Sequence, residues 1–148
     1  MIQIEFTSGT RRPPLSSAIP LDAGRRYGLL AGRKILLVED EALVAVEIEL
    51  ALQMQEALVI GPAMDVSLAV KLASEAIFDG AILDISINGG DALLVADILT
   101  RRDIPFLFHS AHGQRVRGLS KYDAAPVCSK PIPADQLMSH LASILQTA

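Results

Sequence analysis

The stretch "KILLVEDEAL", Lys34 to Leu43, decides how the rest of the chain is read. Four apolar residues, Ile35 to Val38, run straight into Glu39, Asp40 and Glu41. An unbroken apolar run of this length is the mark of a short strand covered on both faces. The residues that follow, to Gln55, set Leu43, Val46, Leu50 and Met54 at helical spacing, with Asp40 available as N-cap. Three acids thus stand where a buried strand hands over to a helix.

The same alternation continues to the end of the chain. "ALVIG" (57–61), "GAILDI" (80–85), "IPFLFHS" (104–110) and "APVCSK" (125–130) read as strands. "MDVSLAVKLASEA" (64–76), "DALLVADILTRR" (91–102), "GQRVRGLSKY" (113–122) and "PADQLMSHLASILQ" (133–146) read as helices. The last carries an i, i+4, i+8 stripe of Leu137, Leu141 and Leu145. Strands alternating with helices predict a doubly wound, flavodoxin-like α/β domain, (βα)5 with a five-stranded parallel sheet, over residues 34–148. Residues 1–33 read as an arm or linker: 7–26, "TSGTRRPPLSSAIPLDAGRR", are rich in Ser, Gly, Pro and Arg and have no sustained period.

Composition agrees and excludes several classes. At 51% hydrophobic and a mean hydropathy of +0.39, the 148 residues suffice for one ordinary core, built from aliphatic side chains because Trp is absent. A single cysteine, Cys128, excludes an internal disulfide framework and reads as a small buried residue in a reducing compartment. No apolar run is long enough to span a bilayer and no signal pattern opens the chain, so a cytoplasmic protein is expected. Residues 1–33 carry five Arg against Glu5 and Asp22, net +3, whereas residues 34–148 carry net −7. A body of that charge is no nucleic-acid surface.

In a doubly wound fold the ligand site lies beyond the carboxyl ends of the strands, where their order reverses. The strands end in Glu39-Asp40-Glu41, Asp84, Ser110 and Lys130. Asp84 follows the apolar "GAIL" and lies too far ahead of the next helix, expected from Asp91, to cap it. Glu39, Asp40 and Asp84 together would repel one another unless a hard cation joined them, and an all-oxygen donor set points to Mg²⁺ or Mn²⁺. Glu41 is assigned instead to the first helical turn, where an acid suits the helix dipole. A metal-bound aspartate beside a lysine suits phosphoryl transfer to a carboxylate: Asp84 the nucleophile, Lys130 the ion-pair partner of the phosphoryl oxygens, Ser110 a hydroxyl donor.

The pieces "ILLVEDE", "AILDI", "LFHSAHG" and "VCSKPI", in that order, resemble the receiver domain of bacterial two-component response regulators, of the stand-alone or hybrid-kinase-attached kind. The resemblance implies transfer from a sensor histidine kinase or phosphotransfer protein to Asp84, with no catalysis beyond the domain's own phosphorylation and dephosphorylation. It implies Asp40 as direct metal ligand, Glu39 acting mainly through water, the Ser86 backbone carbonyl as a further ligand and a cis Lys130-Pro131 peptide. It makes Ser110 the switch hydroxyl, while the switch aromatic position holds Val127, which is atypical. Ser86 and His112 fall where the family modulates hydrolysis of the acyl phosphate. A downstream protein target and a homodimer are further partners it implies. Because the last helix uses up the chain, output is expected through protein contact or phosphate relay, and "GLLAGRKILLVEDE" resembles the junction that follows a sensor kinase catalytic region.

Other classes fit less well. No Gly-x-Gly-x-x-Gly or Gly-Lys-Ser/Thr loop follows the first strand, against a nucleotide-binding domain. An aspartyl phosphatase would carry Asp-x-Asp after the first strand, whereas here the candidate nucleophile follows the third. The remaining alternative is a pseudo-receiver, an interaction module that is not phosphorylated.

Overall fold

The computed structural model describes residues 28–111 and 119–146. Strand β1 (Lys34–Val38) shows why its sequence has no alternation: side chains along a strand point to opposite faces, and both faces are covered. Ile35 and Leu37 pack on one side and Leu36 and Val38 on the other, all four fully buried. The remaining strands are β2 (Leu58–Ala63), β3 (Gly80–Leu83), β6 (Phe106–Ser110) and β7 (Val127–Ser129). They form one parallel sheet in the order β2-β1-β3-β6-β7, as the sequence predicts. The order reverses at β1, which the chain leaves toward the β2 edge before returning to β3.

Among the described residues four α-helices flank the sheet: α1 (Ala42–Met54), α2 (Val66–Glu75), α3 (Leu93–Arg101) and α4 (Ala134–Gln146). Buried residues of α1 and α4 share a core with Ile35, Leu37, Ile82 and Leu107; those of α2 and α3 share one with Leu36, Leu83, Phe106 and Phe108. The Leu137, Leu141 and Leu145 stripe of α4 faces the first core. So do Leu30, which precedes β1, and Cys128.

Three local expectations need correction. Asp40 does not cap α1: Glu41 holds the N-cap position without a side-chain bond of its own, and Glu39 Oε1 accepts the Glu41 N–H at 3.1 Å. The apolar series Leu43, Val46, Leu50 and Met54 is the exposed face of α1, while Ala45, Ile48 and Leu52 are buried. With apolar residues on both sides of this helix, spacing alone could not separate inner from outer face. Helix α3 starts at Leu93 rather than Asp91, because the loop first pairs with itself in a ribbon of β4 (Ser86–Ile87) and β5 (Gly90–Asp91). Asp91 then closes the helix entry by accepting the Leu93 N–H at 3.0 Å.

The expected helix at 113–122 falls largely outside the described residues; Leu119–Tyr122 forms a 3-10 turn. Among the described residues no helix is long and apolar enough to cross a membrane. Strand β2 continues past Gly61, whose φ of +103° suits glycine and where a Cβ would meet Leu37 O at 2.8 Å.

Leu99 is fully buried between α3 and the sheet, whereas Ile77 is exposed. Leu99→Ala should cost about 3 kcal/mol in denaturant unfolding, and Ile77→Ala less than about 0.5 kcal/mol.

Candidate functional site

Backbone hydrogen bonds carry the sheet's ladder just past the strand ends and fix where the polar residues stand. The Glu39 N–H donates to Ala63 O at 3.0 Å, the Asp84 N–H to Val38 O at 2.9 Å and the Lys130 N–H to Ser110 O at 3.0 Å. Residues from four strand ends are thereby held at one edge. The Lys130-Pro131 peptide is cis, as the resemblance implies.

Lys130 gathers the acids. Its Nζ lies 3.0 Å from Glu39 Oε2, 3.1 Å from Asp84 Oδ2 and 3.6 Å from Glu41 Oε1. Glu39 and Asp84 are buried, whereas the Glu41 side chain is 65% exposed. Burial opposes charge on Lys130, but the hydrogen bonds it donates to Glu39 and Asp84 outweigh that and hold the ammonium's pKa above its ordinary value. Burial pushes the Glu39 carboxyl up to about 7, against the stabilising Glu41 N–H and Lys130, and Asp84 adds to the rise.

Carboxylate oxygens of Glu39, Glu41 and Asp84 lie within 4.8 Å of one another, a grouping able to hold a divalent cation. Asp40, expected as the direct ligand, is not in that group; it is half-buried beside it. Glu41, which the sequence assigns to the helix dipole, is. Its signal in the sequence is adjacency alone; in the structure its backbone N–H is tied to Glu39 Oε1, and its exposed side chain reaches the rim of the group.

Ser110 is buried at the end of β6. Ser86 is exposed, and its N–H donates to Asp84 Oδ1 at 3.3 Å. His112 lies outside the described residues. Val127 is half-buried against the core that contains Phe106, Phe108 and Tyr122. The three rings make edge-to-face contacts with centroids 5.5 to 6.0 Å apart. The Tyr122 hydroxyl reaches Leu93 O at 3.2 Å and the Asp97 carboxylate, so an aromatic joins this face from the loop before Val127.

One buried polar group had no place in the sequence reading. His109 precedes Ser110 in β6, is 95% buried by virtue of its 5% exposure, and its Nδ1 has no hydrogen-bond partner. It lines a cavity of about 180 Å³ together with Val44, Ile48, Lys130, Pro131 and Leu137. Burial, then the nearby Lys130 charge, push its pKa down to about 4. A cavity of about 360 Å³ lies at the other end of the sheet, near Asp103, Pro105, Lys121 and Tyr122 ahead of β6 and β7, away from the carboxylates.

The response regulator receiver domain model matches residues 35–142. Phyllosphere-induced regulator PhyR of Methylorubrum extorquens is 34% identical over 113 residues, 74% of this chain but 42% of that protein. The chain therefore spans about two fifths of the length of that relative. Among solved structures, the HemR receiver domain of Leptospira biflexa matches with a TM-score of 0.67 at 27% identity, over 76% of this chain and 94% of that one. The magnesium-bound receiver domain of sensor kinase PA1611 from Pseudomonas aeruginosa matches with 0.66 at 22%, over 78% and 99%.

The unfolded chain takes up a proton at His109 near the ordinary imidazole value of 6.5, before the folded protein does at about 4. Stability at this residue is therefore lost as pH falls through that window. His109→Leu should gain stability relative to the parent protein as pH is lowered from about 6.5 to about 4 in thermal melts; a constant difference would contradict the assignment.

Proposed function

Because this chain belongs to the response regulator receiver family, we propose that Asp84 is its phosphoacceptor. It takes a phosphoryl group from a sensor histidine kinase or phosphotransfer protein with the help of Mg²⁺, or Mn²⁺. The observation that carries this is the Lys130 ammonium bridging two buried carboxylates, 3.1 Å from Asp84 and 3.0 Å from Glu39. In transfer, an Asp84 oxygen bonds to phosphorus as the phosphorus–nitrogen bond to the donor's imidazole breaks, and the electron pair leaves with that nitrogen. Lys130 supplies positive charge beside the transferring oxygens, and Ser110, at the end of β6, donates a hydroxyl to another.

The donor chemistry fits a hard cation, since the grouped atoms are carboxylate oxygens without imidazole or thiolate. Glu39, Asp84 and Glu41 would hold it, with Asp40 and the Ser86 carbonyl as the ligands the family pattern adds. When bound there, the cation would supply positive charge to the phosphoryl oxygens in addition to that of Lys130. Ser86 and His112 occupy the positions that tune the lifetime of the acyl phosphate.

We assign residues 34–148 as the receiver domain and 1–33 as an arm, in a cytoplasmic protein whose output is contact with a downstream protein. Val127 favours a second reading, in which the fold serves as an unphosphorylated interaction module, because a half-buried valine lacks the two rotamer positions of the family's switch aromatic.

Intact-protein mass after incubation with acetyl phosphate and Mg²⁺ separates the two. One phosphoryl increment is expected, absent in Asp84→Asn, and formed about 100-fold more slowly in Lys130→Ala. An increment that survives Asp84→Asn would contradict the assignment. Glu39 must also lose a proton to become a ligand, so Mg²⁺ affinity measured by titration calorimetry should fall as pH drops through about 7.

A further inference from the structure

The outer face of α1 is apolar and uncovered among the described residues. Leu43, Val46, Leu50 and Met54 are 86%, 52%, 55% and 62% exposed, and at i, i+3, i+7 and i+11 they form one stripe. The exposed Glu47 and the half-buried Glu49 lie on the same helix, and there is no Lys or Arg between Ile35 and Val70. The surface therefore calls for an occupant that is both apolar and basic.

We propose that residues 1–27 of this chain pack across that face. The segment carries Arg11, Arg12, Arg25 and Arg26 against Glu5 and Asp22, and apolar Ile2, Ile4, Phe6, Leu15, Ile19 and Leu21. Its charge and its hydrophobic content both complement the helix. The described chain also enters at the right place. Leu29 N–H donates to Gln55 Oε1 at 3.0 Å, Leu30 N–H to Gln55 O at 3.2 Å and Gly32 N–H to Glu56 O at 3.1 Å. Leu29 is thus held at the carboxyl end of α1 by Gln55, the residue that follows Met54.

Length is no obstacle. A 13-residue helix is about 20 Å long, and 27 residues reach up to about 90 Å when extended. A tethered segment also meets the face at an effective concentration of order millimolar. A second copy is the weaker occupant: a two-fold contact would set Glu47 and Glu49 against the same acids, in a body of net charge −7.

The full chain with a benzophenone amino acid in place of Leu50 tests this, with the same probe at exposed Ile77 as reference, in an equal mixture of isotopically light and heavy protein. Irradiation should link position 50 to peptides from residues 1–27 of the same chain, and position 77 to none of them. Arg11→Glu, Arg12→Glu, Arg25→Glu and Arg26→Glu together should abolish those links. Mixed light–heavy links as frequent as the light–light and heavy–heavy links combined, which a second copy would give, or no links to the arm, overturn the proposal. So does an arm that links equally from position 77 or survives charge reversal, since tethering alone would explain it.

Discussion

One ammonium holds two buried carboxylates at the carboxyl edge of the sheet. Lys130 reaches Glu39 and Asp84 at 3.0 and 3.1 Å from a strand end that is itself anchored to Ser110. Burying acids this close together is unfavourable unless cations share the space, and the raised pKa of Glu39 records how incompletely one lysine does so. The surrounding construction follows from that constraint. Glu39 and Asp84 each follow a buried apolar run, and backbone bonds tie each to a neighbouring strand end, which holds their backbones side by side. A divalent cation and a transferable phosphoryl group are the chemistry such an arrangement receives best.

The strand ends were legible in the sequence because burial on both faces leaves unbroken apolar runs, and a polar residue ending such a run is conspicuous. Ile35–Val38 before Glu39 and "GAIL" before Asp84 are of this kind. The five-stranded sheet and the inward stripe of α4 followed from the same patterning. Other features depend on contacts that periodicity does not encode. The position of Glu41 beside the other two acids goes with a bond from its N–H to the Glu39 side chain. The delayed start of α3 rests on a two-residue ribbon pairing Ser86 with Asp91. On α1, alanine at position 45 is buried while leucine at 43 and 50 is exposed, so hydrophobicity pointed to the wrong face.

His109 and Tyr122 show how the two sides of the sheet meet at the site. Successive residues of β6 face opposite ways: Phe108 joins the aromatic group with Phe106 and Tyr122, while His109 faces the cavity beside α1 and Lys130. The neutral imidazole adds no positive charge beside Lys130, which leaves that lysine as the ammonium nearest the acids. On the opposite side, Tyr122 ties the loop before β7 to the start of α3 through Leu93 O and Asp97. Val127, half-buried, packs against the same core.

Fluorine NMR with beryllofluoride, which mimics the phosphoryl group without being hydrolysed, reads whether the edge formed by Glu39, Asp84, Ser110 and Lys130 takes a cation and a phosphoryl group together. Bound fluorine resonances that require Mg²⁺ and are missing in Asp84→Asn are expected. Only free beryllofluoride signals at saturating Mg²⁺, from protein that is folded by its amide spectrum, would show that the edge does not.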